Sequence, residues 1–173
     1  EEEENPAMGW RAIRLAMERE GLMKVQARAL IEAAAGRTLR VMFPMISEPW
    51  EFDDAKALFE SQLVWLKKLG KHVPLKICYG TMLEVPALAE QLDVLLPNVD
   101  FLSIGTNDLT QFLFAADRAN PKLAERYDWL SPAILRFLKR VAIACNAAKV
   151  PVTVCGEMGG RPLEAIALIA LGI

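Results

Sequence analysis

Four times along the chain, a short apolar run gives way to a longer stretch with helical periodicity. Runs of that length, closed by turn residues, are too brief for helices and suit strands buried in a parallel sheet. The first covers residues 39–45. Ser47 then offers a helix cap with Pro49 in the first turn, Phe52, Ala55, Phe59, Leu63, Leu66 and Leu69 mark a buried face, and Gly70 closes the unit. The second unit pairs a strand at 75–83 with a helix opened by Pro86, turning Leu88, Leu92 and Leu95 inward. The third has a strand at 99–104, a long loop from Gly105, and a helix from Pro132 capped by Ser131. The fourth joins a strand at 151–155 to a helix from Pro162 to residue 170. An Ala-, Leu-, Met- and Arg-rich helix over 10–35, interrupted at Gly21 and stopped at Gly36, precedes them all. Strand and helix in strict alternation predict parallel strands with right-handed crossovers.

Polar punctuation is one-sided. Glu84, Asn107 with Asp108, and Cys155-Gly156-Glu157 each fall where a strand hands over to the next loop. That edge carries the chemistry of parallel α/β folds, whether barrel or doubly wound. The opposite edge shows Gly36, Gly70-Lys71, Pro97-Asn98 and Lys149, which are turn residues. Neither a dinucleotide-binding glycine fingerprint nor a P-loop is present. A closed eight-stranded barrel takes roughly 250 residues, so four strands predict a single piece, residues 1–173, of a larger barrel lacking its early strands and its last. Its open edges are expected to be covered by those strands or by another chain.

Composition narrows the class. A net charge of -2 over 173 residues gives no electrostatic reason for a nucleic-acid partner. No apolar run is long enough to insert in a membrane, and no signal-peptide pattern opens the stretch. Glu1 to Glu4 read as a solvated acidic run. Three cysteines without metal-ligand spacing suggest reduced thiols and a cytoplasmic location.

Glu84 and Asp108 are carboxylates at the ends of apolar strands; converging at one mouth, they would suit hard Mg²⁺ or Mn²⁺. A plainer alternative is that Asp108 caps a short helix while Glu84 pairs with a surface lysine. Arg118, ten residues past Asp108, could grip a phosphate bidentately. Arg11 could do likewise or form an ordinary surface ion pair. Cys155 faces a glycine-rich loop and could move a proton, or could be a small core residue like Cys78 and Cys145. His72 is the single histidine and sits at the wrong edge to be a nucleophile.

Together these segments resemble the phosphoenolpyruvate (PEP)-utilising enzymes. Gly80-Thr81-Met82-Leu83-Glu84-Val85-Pro86-Ala87 is similar to their metal-carboxylate motif. Phe101-Leu102-Ser103-Ile104-Gly105-Thr106-Asn107-Asp108-Leu109-Thr110-Gln111 resembles the second metal and substrate motif, and Cys155-Gly156-Glu157 the proton-transfer motif. Asn5-Pro6, Gly9-Trp10-Arg11 and Met42-Phe43-Pro44-Met45 match in the same order, so the resemblance spans nearly the whole chain. Asp117-Arg118-Ala119-Asn120 and Ser131-Pro132 resemble the Enzyme I branch of the phosphotransferase system. Gln91-Leu92-Asp93, Arg126-Tyr127-Asp128 and Gly159-Gly160-Arg161-Pro162-Leu163-Glu164 resemble its nitrogen-related form.

The resemblance implies a partial (β/α)8 TIM-type barrel of α/β class. Its metal would be Mg²⁺, with Mn²⁺ an alternative, held by Glu84 and Asp108. PEP would be bound by Asn107, Asp108, Arg118 and Arg11, and Cys155 would protonate the enolate of pyruvate. It also implies transfer to a histidine on another domain, a phospho-carrier protein as partner through a missing N-terminal domain, and a homodimer. Rival readings are the barrel of a pyruvate phosphate dikinase or PEP synthase, and a non-catalytic PEP-sensing or dimerisation module.

Overall fold

The computed structural model describes residues 3–123 and 126–173; Glu1 and Glu2 of the acidic run lie outside the described residues. Four strands form one parallel sheet in the order β1 (Thr38–Phe43), β2 (Lys76–Leu83), β3 (Phe101–Ile104), β4 (Val152–Val154). Each strand lies beside its predecessor, and Phe43, Thr81, Leu102 and Val152 stand in one register line. Residue 45, expected to close the first strand, lies beyond it: Met45 has a φ of 56°, which a parallel ladder does not accommodate. β3 begins at Phe101 rather than 99, because Asp100 turns its carboxylate back to accept the Tyr79 N–H.

Strand alternation separates two faces. Val41, Phe43, Tyr79, Leu83, Leu102 and Ile104 are buried together against the helices. Phe43 meets Phe52, and Tyr79 meets Phe59, both edge to face. The other face carries Arg40, Met42, Gly80, Met82, Ser103 and Thr153 in matched register. Arg40 and Thr153 there are exposed, and the Thr153 hydroxyl lies 3.2 Å from that of Ser103. An apolar face under helices and a more polar opposite face form the arc of a (β/α) barrel, with β1 and β4 as its edges.

The helices correct several boundaries. A single 3-10 turn (Pro6–Met8) comes first, then α1 (Ile13–Glu18) and α2 (Glu20–Ala33), broken at Arg19 (φ -109°, ψ 58°) rather than at Gly21. Helix α3 (Pro49–Lys68) is capped by Glu48, not Ser47. Glu48 and Glu51 form a reciprocal capping box, and the Ser47 N–H is also accepted by Glu51, at 2.6 Å. Its buried face includes Leu58 and Gln62, while Leu69, past the helix end, is exposed. The helix expected after Pro86 is two short ones, α4 (Pro86–Ala89) and α5 (Leu92–Leu95), which bury Leu88, Leu92 and Leu95 as expected. The long loop expected from Gly105 begins instead with a helix, α6 (Thr106–Phe114). Helix α7 (Pro132–Ala148) follows, with Ser131 accepting the Ala133 N–H, and α8 (Pro162–Leu171) closes the described chain. Among the described residues no helix is long and apolar enough to cross a membrane.

Candidate active site

Glu84 follows β2 directly and shares the open face with Gly80 and Met82 by alternation. It is buried, 4% exposed, and its Oε1 accepts the Met45 N–H at 2.7 Å. Among the described residues no lysine pairs with it. Burial pushes its carboxyl above the usual range, with the Met45 N–H opposing; Asp108 then raises it, while Arg11 and Arg118 lower it. A Cβ at Gly105 would stand 2.8 Å from Glu84 Oε2, so glycine there leaves room for the carboxylate. Gly105 is also where the chain turns from β3 into α6, which brings the two acidic motifs side by side.

Asp108 is the third residue of α6. A carboxylate in that first turn is favoured by the helix dipole, so the helix-end reading and the metal reading describe one position. Oδ2 accepts from Arg11 at 3.0 Å. Oδ1 lies 3.8 Å from the Arg118 guanidinium, is buried, and accepts no hydrogen bond among the described residues. An orphaned carboxylate oxygen beside a second buried carboxylate fits a hard divalent cation. Among the described residues no cluster of three or more His, Cys, Asp or Glu is present, so a cation here would take further oxygens from substrate and water.

Arg11 is no surface ion pair. Its Nε donates to the Ala7 carbonyl at 2.8 Å, so the guanidinium is tied at both ends. The acidic N-terminal run has a structural part here, since Glu3 accepts the Trp10 N–H. Three of the four non-glycine residues with positive φ among the described residues adjoin this site: Ala12 beside Arg11, Met45 bonded to Glu84, and Ala115 ahead of Arg118. Such backbone costs free energy and gathers where function over-determines the geometry.

Cys155 follows β4 and is exposed, unlike the buried Cys78 and Cys145. The Ile104 carbonyl accepts its N–H at 3.0 Å and lies 3.6 Å from its Sγ. Asn107 sits beside it with both amide atoms engaged: Nδ2 donates to Glu157 Oε1 at 3.2 Å, and Oδ1 accepts the Glu157 N–H at 3.1 Å. Its side chain therefore clasps the loop after Cys155. His72 is exposed at the far edge.

The structure thus brings Glu84, Asp108, Arg11 and Arg118 together, and joins the Cys155 loop to them through Asn107. A cleft of about 990 Å³ runs beside this region along Asn107, Gln111, Arg118, Glu157 and Arg161; Glu84, Asp108, Arg11 and Cys155 lie outside its lining. Sequence reasoning gave no site role to Met45 or Gln111. Arg40 stands on the open face, 5.8 Å from the Phe101 ring. The signal for Gln111 was an amide on the buried side of a helix.

The chain is 42% identical over 172 residues to the phosphoenolpyruvate-protein phosphotransferase of Staphylococcus carnosus, covering 99% of this chain and 30% of that protein. It is 41% identical over 171 residues to the protein of the same name from Bacillus subtilis, again covering 99% of this chain and 30% of that one. Identity to the phosphoenolpyruvate-dependent phosphotransferase system protein of Escherichia coli is 40%, over 98% of this chain and 23% of that protein. The chain thus spans less than a third of these relatives. A solved citrate lyase from Burkholderia xenovorans shares the fold, with a TM-score of 0.56 at 17% identity, over 87% of this chain and 53% of that one. The family model described as PEP-utilising enzyme, PEP-binding domain, matches residues 1–173, and the chain belongs to that family.

Proposed function

We propose that the chain is the PEP-binding segment of a phosphoenolpyruvate-protein phosphotransferase. The observation that carries the reading is the buried Asp108 carboxylate flanked by Arg11 and Arg118, its Oδ1 without a hydrogen bond among the described residues, with Glu84 near enough for their charges to interact. Two guanidiniums beside two carboxylates suit a phosphorylated, metal-bridged anion better than either component alone.

Glu84 and Asp108 would hold Mg²⁺, which when bound supplies positive charge against the phosphoryl and enolate oxygens. Arg11 and Arg118 would hold the phosphoryl oxygens, and the free N–H groups at the start of α6 would take a carboxylate or phosphoryl oxygen. The P–O bond of PEP breaks as a P–N bond forms to a histidine on another domain, leaving the electron pair on the enolate of pyruvate. Cys155 gives its Sγ proton to the methylene carbon, which yields pyruvate, and the thiolate regains a proton from water. Residues 1–173 would then be one stretch of a barrel whose other strands cover β1 and β4. The phospho-carrier partner, a homodimer, the nitrogen-related branch and a cytoplasmic location belong to the same proposal, on the motif resemblance and the free thiols.

The full-length protein tests it. Asp108→Asn is expected to abolish Mg²⁺-dependent phosphorylation by PEP while the protein stays folded. Cys155→Ala is expected to keep PEP binding but slow exchange of the pyruvate methyl protons with deuterated solvent by roughly 100- to 10,000-fold. Exchange at the parent rate in Cys155→Ala would remove Cys155 from the mechanism. Full turnover in Asp108→Asn would remove the metal site.

A further inference from the structure

Gln111 follows Asp108 by one turn of α6, on the same side of the helix, and is buried, 6% exposed. A neutral amide in such a place calls for partners. Its Oε1 accepts the Arg118 backbone N–H at 3.1 Å. Its carbonyl accepts the Ala116 N–H at 3.0 Å and also that of Ala115, whose left-handed backbone (φ 49°, ψ 41°) reverses the chain at the end of α6. One residue therefore folds the segment after α6 back along the helix by both its main chain and its side chain. The reversal returns Arg118 to the head of α6, where its guanidinium meets Asp108 Oδ1 at 3.8 Å.

Arg11 and Arg118 are held differently. The guanidinium of Arg11 is tied by the Ala7 carbonyl and by Asp108. That of Arg118 is half exposed, and Asp108 is its one ion-pair partner among the described residues, too distant for a hydrogen bond. Its location is accordingly set by its backbone anchor, and the anchor is Gln111. Because the Arg118 N–H requires an acceptor, Oε1 must face it. Nε2 then faces away, buried and without a partner among the described residues.

We propose that Gln111 is the positioning residue of Arg118: it holds the arginine loop against α6 so that the guanidinium stands beside Asp108. This rests on the reading of Arg118 as a phosphoryl-binding group. Gln111 touches neither substrate nor metal in this role, so its effect should pass entirely through Arg118.

The experiment is a double-substitution cycle in the full-length protein, with Mg²⁺ and PEP, reading KM for PEP in phosphorylation of the protein. Gln111→Met keeps the side-chain volume and removes the acceptor, and is expected to raise KM roughly tenfold, the worth of about one hydrogen bond. Gln111→Asn keeps the amide but shortens its reach, and should raise KM similarly; it stands in if the methionine variant does not fold. Arg118→Ala should raise KM more. Adding Gln111→Met to Arg118→Ala should then change KM less than twofold. Unchanged KM in both Gln111 variants beside an impaired Arg118→Ala overturns the proposal and leaves the reading of Arg118 standing. Effects that multiply in the double variant also overturn it, since Gln111 would then act independently. An Arg118→Ala variant with normal KM overturns both the proposal and the reading beneath it.

Discussion

Gly156→Ala is the sharpest perturbation available, because one methyl group meets a structure that leaves it no space. The backbone of Gly156 (φ -102°, ψ 172°) is extended and open to any residue, so the cost is contact and not strain. A Cβ there would lie 1.9 Å from Thr106 Oγ1, 2.8 Å from the Thr106 backbone nitrogen and 3.0 Å from its Cβ. Restoring an ordinary separation needs a shift of about 1.5 Å between the loop after β4 and the head of α6. The two bonds joining Asn107 and Glu157, at 3.1 and 3.2 Å, would lengthen past hydrogen-bonding range. Their loss is worth about 1–3 kcal/mol together, and the overpacking about 1–3 kcal/mol more. A local loss of at least about 2 kcal/mol corresponds to roughly 30-fold faster amide exchange at Glu157. Hydrogen exchange read by mass spectrometry on the full-length protein measures this directly. Thr106→Ala removes the hydroxyl, itself buried and without a partner among the described residues, but not the backbone nitrogen. In that background the cost of Gly156→Ala should fall by about half. Unchanged exchange at Glu157 in Gly156→Ala would refute the close approach, and an equal cost in both backgrounds would show that Thr106 is the wrong neighbour.

Two further expectations concern stability. Burial pushes the Cys145 thiol from 9.0 up to about 11, so between those values the unfolded chain releases a proton that the folded one retains. Stability should therefore fall as pH rises from about 9 to 11, by about 1.4 kcal/mol for each pH step of one; Cys145→Ala should flatten that slope in denaturant midpoints, and an identical slope would exclude the thiol as its source. Lys149 ends α7 in the left-handed region (φ 58°, ψ 31°), where a side chain costs about 1 kcal/mol. Lys149→Gly should raise the denaturation midpoint and Lys149→Ala should not; equal behaviour of the two would show that the backbone there is unstrained.

The strands were legible because burial in a parallel sheet imposes a local pattern that any short apolar run reveals. Ser131 and Pro132 were legible as a helix start for the same local reason: cap and first turn are adjacent in the chain. Where two neighbouring residues competed to cap α3, the pattern pointed to Ser47, and the reciprocal bonds of Glu48 and Glu51 decided otherwise. The helix after Gly105 was hidden for a related reason. Its first turn holds Thr106, Asn107 and Asp108, poor helix formers in water; here Thr106 and Asp108 are buried and Asn107 is held by Glu157 across 50 residues.

The candidate site divides along the same line. By itself the sequence determined which residue types stand at the strand ends, since alternation and turn chemistry assign Glu84, Asp108 and Cys155 to one edge. Only the tertiary structure decided what each of them touches. Met45 holds Glu84 across 39 residues, Glu157 holds Asn107 across 50, and Arg11 meets Asp108 across 97. Local periodicity carries no information about contacts at such separations. They exist because the sheet sets four loops at one end, and packing leaves each polar atom few places to turn.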